Sequence, residues 1–245
     1  PALPARTALA TFYDIFNGDA DGICALQQLR LAEPCDAALV TGVKRDVRLL
    51  DRIAPQPGDR ITVLDLSLDT NRGGLMRALQ AGASCRYFDH HFSGEIPDHP
   101  RLDAHIDTAP DTCTSLIVDR YLQGRYRAWA VVAAFGDNLL QPARTAAAKL
   151  GLAEHDRETL RELGECINYN AYGESVEDLF YPPDALYRRL HGYADPLEFA
   201  RSAPEFRVLR RARAADMERA DALPVKRIGS GCVAVFMPEE AWSRR

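Results

Sequence analysis

The sequence predicts an α/β protein: a parallel sheet flanked by helices, with a helical extension and the start of a possible second domain. Three observations predict it. Short apolar, aromatic or β-branched runs alternate with helix-spaced segments over the first hundred residues, in the order β-α-β-β-α-β. After Asp111 the pattern turns mainly helical. Acidic residues and histidines recur just past the ends of the expected strands, where open α/β sheets gather functional groups.

Each element follows from its residues. Residues 1–10 read as a loose Ala/Pro-rich lead, and 11–16 (TFYDIF) as a strand. Asn17 to Gly22 is a loop, and Ile23, Leu26 and Leu29 fall near one stripe of a helix. Residues 37–40 and 61–64 are expected strands, and 73–81 an expected helix. Cys85 to Phe88 is a strand running into Asp89, and 104–106 is one more. Helices are expected over 116–122, 129–140, 145–150 and 157–167. Residues 173–222 are charged and helical, with Pro182 and Pro183 as a break. Finally, 225–228 and 232–236 read as two strands joined by a Gly-Ser-Gly turn. The expected divisions are 11–172 for the main domain, 173–222 for a helical connector, and 223–245 for the start of an incomplete C-terminal domain.

Composition bounds the function. Apolar residues make up 47% and charged residues 27% of the 245, which excludes a disordered chain, a collagen and a coiled-coil rod. The net charge of −5 excludes a globally basic nucleic-acid binder. The six cysteines show no zinc-like spacing and read as reduced core residues. No apolar run has the length of a membrane span, and residues 1–6 carry no signal-peptide block, so a cytoplasmic protein is expected.

The chemistry lies at the strand ends. Asp19 and Asp21 follow the first strand, Asp65 ends the third, and Asp89-His90-His91 ends the fourth. In an extended segment residues two apart share a side, so Asp19 and Asp21 are expected to face one pocket. Gly18 and Gly22 permit a close backbone there. Carboxylates gathered in one pocket repel one another, and divalent cations resolve that conflict. Carboxylate with imidazole suits Mn²⁺ or Mg²⁺, with Zn²⁺, Co²⁺ or Fe²⁺ as further candidates. Each motif alone has a plain alternative: a surface turn at Asp19 to Gly22, a helix N-cap at Asp65. Two imidazoles beside a carboxylate have few structural uses. Residues 112–115 carry a helix N-terminus signature, for which capping is preferred over phosphate binding. The arginines at 207, 210, 211, 213 and 219 read as a solvated helix face paired with nearby acids.

The order Asp-x-Asp-Gly, an isolated strand-end Asp and the literal Asp-His-His resembles the DHH phosphoesterase superfamily over about residues 11–140. Asp137, closing an apolar segment, matches that family's fourth motif. The superfamily includes RecJ-type exonucleases, oligonucleotide and cyclic-dinucleotide phosphodiesterases, polyphosphatases and manganese pyrophosphatases. The resemblance implies a two-metal phosphodiesterase of the RecJ-like or oligonucleotide branch, with two Mn²⁺ ions and Mg²⁺ or Co²⁺ as alternatives. It implies that Asp19 binds a first ion and Asp21 a second, and that Asp65 bridges them. His90 and Asp137 would complete the second site, His91 would face the substrate phosphate, and Asp89 would orient a histidine. The implied substrate is a nucleotide or short oligonucleotide. The alternative is a non-catalytic nucleotide- or protein-binding module with the same fold. One position departs from the pattern: Asn17 stands where family members often carry His or Asp, and a neutral amide is a weaker ligand. The family's glycine-rich motif ending in His is not found in this sequence.

Overall fold

The structure, a computed structural model, describes residues 10–228 and 230–245. All but Ala10 of the expected N-terminal lead, and Gly229 of the expected turn, lie outside the described residues. Five parallel strands form the main sheet: β1 (Phe12–Phe16), β2 (Ala38–Val40), β3 (Arg60–Leu64), β4 (Ser84–Asp89) and β5 (Leu102–Ile106). Their spatial order is β2-β1-β3-β4-β5. The chain leaves β1 toward one edge and returns to β3 on its other side, so a topological switch lies between β1 and β3. Helix α1 (Ala20–Ala32) connects β1 to β2, and α2 (Leu68–Ala81) connects β3 to β4.

Period-two alternation puts buried apolar side chains on both faces of the three central strands, β1, β3 and β4, as a sheet covered on both sides requires. Phe16, Leu64 and Phe88 enter one core. Ile15, Val63 and Tyr87, one position earlier on the same strands, enter the other. The second core is closed by α2 and by a 3₁₀ turn at Leu49–Arg52. The first, larger core is closed by α1 and by α3 (Thr114–Tyr121), α4 (Arg127–Gly136), α5 (Leu140–Ala148) and α6 (Glu154–Asn170). Helices α7 (Pro183–Leu190), α8 (Pro196–Ser202) and α9 (Pro204–Asp221) insert Leu186, Leu190, Phe199 and Leu209 into that same core.

The expected helix over 129–140 ends at Gly136, and the one expected over 145–150 begins earlier, at Leu140. Chain direction changes at Asp137, the C-cap of α4, and Asn138 adopts left-handed φ of 60°. Asn tolerates that conformation, and Leu139 N–H then bonds back to Ala134, so an unbroken apolar run still turns. Beyond α9, β6 (Val225–Ile228) and β7 (Cys232–Val235) form a separate antiparallel pair, and α10 (Ala241–Arg244) ends the chain. Among the described residues, no helix is long and apolar enough to cross a membrane.

Candidate metal centre

The switch point places the candidate residues. Asp19 follows β1 as the N-cap of α1: its Oδ1 accepts the N–H groups of Asp21 and Gly22 at 3.0 and 3.1 Å. Asp21 is therefore in the first turn of a helix. The expected extended alternation of Asp19 and Asp21 is replaced by capping geometry, because the Asp19 side chain is what starts α1. Gly22 is required at that start, since a Cβ there would lie 2.2 Å from the Asn17 carbonyl oxygen.

Asp21 is fixed by a second helix. Its two oxygens accept the N–H groups of Thr114 and Ser115, each at 2.7 Å, at the N-terminus of α3. The helix signature at 112–115 is thus satisfied neither by a local cap nor by phosphate, but by a carboxylate 93 positions earlier. Thr114 also donates its hydroxyl to Asp65 at 3.3 Å. Asp65 follows β3 with φ of 60°, a strained value for a residue with a Cβ, and its N–H bonds to the Phe88 carbonyl. Ser67, not Asp65, caps α2.

His90 is the hub. Its Nε2 stands 3.4 Å from Asp65, 3.8 Å from Asp21 and 3.9 Å from Asp137. Asp21, His90 and Asp137 form one group with the spacing of metal ligands, and Asp65, His90 and His91 another. His91 lies with Nδ1 2.8 Å from Asp89, which is fully buried at the end of β4. Asn17 Oδ1 and Asp89 Oδ2 are buried without a partner among the described residues.

Electrostatics records the crowding. Burial pushes Asp65 well above the usual carboxylate range, and the charges of Asp19, Asp21, Asp89 and Asp137 add to it. Asp137 is pushed up to about 6 by burial and then by Asp21 and Asp19. Asp19 moves the other way: burial opposes ionisation, but the charge and hydrogen bond of Lys44 outweigh it. The Asp89 hydrogen bond raises His91 above the ordinary histidine value. Sequence reasoning missed Lys44, whose Nζ stands 2.5 Å from Asp19 Oδ2 and 3.7 Å from Asp137.

The arginine-rich α9 pairs with acids as expected: Arg210 with Glu162 at 2.7 Å, Arg213 with Glu165 at 2.8 Å. Cys24, Cys85, Cys113 and Cys166 are buried free thiols.

No protein-family model matches the sequence, and no curated protein is significantly similar to it. Solved structures do match. One is a DHH-domain member of the S1P family of ribosomal proteins, with TM-score 0.54 and 12% identity over 91% of this chain and 62% of that one. Another is exonuclease RecJ bound to manganese, with TM-score 0.52 and 14% identity over 85% of this chain and 63% of that one. The chain spans less than two thirds of the length of either. At these identities the likeness is one of fold: the chain shares the fold of that DHH domain and of RecJ.

Proposed function

We propose that this chain is a divalent-metal-dependent phosphodiesterase acting on nucleotides or short oligonucleotides. The spacing around His90 carries the reading. Its contacts with Asp21 and Asp137, at 3.8 and 3.9 Å, are too long for hydrogen bonds. Atoms bound about 2.1 Å from a common ion stand roughly 3.0–4.2 Å apart, from adjacent to opposite positions. Asp21, His90 and Asp137 fit one such shell and Asp65, His90 and His91 another, and carboxylates with imidazole suit Mn²⁺, Mg²⁺ or Co²⁺. When bound, such an ion supplies Lewis acidity toward a phosphoryl oxygen and the attacking water.

The chain's own groups supply the rest. The α3 N-terminus holds Asp21 in one orientation, and Thr114 holds Asp65. Asp89 anchors His91 by Nδ1 and favours its protonated form. His91 then stabilises charge on the phosphoryl group and gives a proton to the leaving oxygen. The acidic balance of the sequence favours short substrates, because long nucleic acid needs clustered Lys and Arg. In the same reading, residues 11–172 form the metal-binding unit, 173–222 a helical connector, and 223–245 a further unit.

The test is manganese-dependent hydrolysis of bis-p-nitrophenyl phosphate and of end-labelled dinucleotides to pentanucleotides. Wild type is expected to turn over only with added metal, and Asp65→Asn to lose about a hundredfold or more. Metal binding with no turnover on any ester favours the binding-module alternative.

A further inference from the structure

Lys44 follows β2, outside every motif that marks the site in the sequence. Its backbone is anchored on both sides: its N–H donates to the Ala171 carbonyl at 2.9 Å, and its carbonyl accepts from Asn17 Nδ2 at 3.2 Å. The ammonium meets Asp19 Oδ2 at 2.5 Å and Asn168 Oδ1 at 3.4 Å. Asp137 lies between it and His90, with one oxygen 3.7 Å from Lys44 Nζ and the other 3.9 Å from His90 Nε2. Both Asp19 oxygens are therefore in use: Oδ1 caps α1 and Oδ2 holds the ammonium.

We infer that the centre takes a single divalent ion, on Asp21, His90 and Asp137 beside Asp65, and that the Lys44 ammonium holds the neighbouring cation position on Asp19. The inference rests on the metal reading above and deepens it. The four carboxylates carry four negative charges, and one ion with the ammonium supplies three positive ones. A second ion on Asp19 has to break a charge-assisted hydrogen bond to a buried carboxylate and expel a tethered lysine. The Asn17 amide binds the Lys44 backbone and so helps fix the ammonium. Asp19 is then an ion-pair partner and helix cap rather than a metal ligand. On the phosphoryl group, Lys44 supplies the fixed positive charge that a second ion otherwise provides.

Manganese titration of the full chain tests this, by calorimetry and by counting metal retained after gel filtration. Wild type is expected to hold one ion. Asp19→Asn should also hold one, with Kd within about threefold of wild type, whereas Asp137→Asn should weaken it by about tenfold or more. Lys44→Ala should hold two, with the paramagnetic resonance signature of a coupled manganese pair. Two ions in wild type, a tenfold loss in Asp19→Asn, or a single ion in Lys44→Ala each overturns the inference. If Lys44→Ala fails to fold by circular dichroism, wild type and Asp19→Asn decide alone. No ion in any protein removes the metal-centre reading itself, which is a distinguishable outcome.

Discussion

Asp65 combines two constraints in one residue. Its backbone is left-handed, and its carboxyl sits buried among four other carboxylates. Asn keeps the conformational tolerance of Asp and removes the charge, whereas Ala removes both. In metal-free protein, Asp65→Asn is expected to be more stable than Asp65→Ala by about 1 kcal/mol, read from chemical denaturation. Equal stability of the two variants contradicts the assignment of strain at this position. Most of the candidate residues were legible because each closes a strand or helix pattern: Asp19 and Asp21 after an aromatic run, Asp65 after Ile61–Leu64, Asp89 to His91 after Cys85–Phe88. Lys44 was not, since a lysine after a short strand reads as surface. The grip of Thr114 and Ser115 on Asp21 was not legible either, because it uses backbone N–H groups that leave no trace in side-chain chemistry.

At the scale of elements, the crossing of α4 on α6 positions Asp137. Gly164 of α6 lies against α4 so closely that a Cβ would stand 2.1 Å from the Val132 carbonyl oxygen. Gly136, just before Asp137, lies against Ala20 at the start of α1 in the same way, with a Cβ 2.5 Å from the Ala20 Cβ. The obstacle at Gly164 is backbone, so it yields only if the helices separate. Gly164→Ala gains helix propensity but is expected to lose about 1–3 kcal/mol net. It should also weaken manganese binding, because Asp137 moves with α4. A variant as stable as wild type, with unchanged metal affinity, contradicts this account of the crossing. The parallel strands were legible from their apolar runs, with ends displaced by a residue or two. The break between α4 and α5 was legible but misplaced by a few residues, because Leu139 and Leu140 continue the apolar pattern across it and only Asn138 marks the turn.

For the whole molecule, the strand order β2-β1-β3-β4-β5 brings Asp19, Asp65 and Asp89, far apart in sequence, to one end of the sheet. The sequence pattern implied a parallel sheet but not its order, since order depends on which side of β1 each crossover returns. Nor did it reveal that α7, α8 and α9 share the core of the sheet's helical layer. Their charged outer residues dominate the composition and mask Leu186, Leu190, Phe199 and Leu209. In the proposed function this end of the sheet binds a divalent ion. Anomalous diffraction from crystals grown with manganese tests it most directly. One strong peak is expected within bonding distance of Asp21, His90 and Asp137, with Lys44 still on Asp19. A map with no peak there, or with its peak only at surface carboxylates, contradicts it.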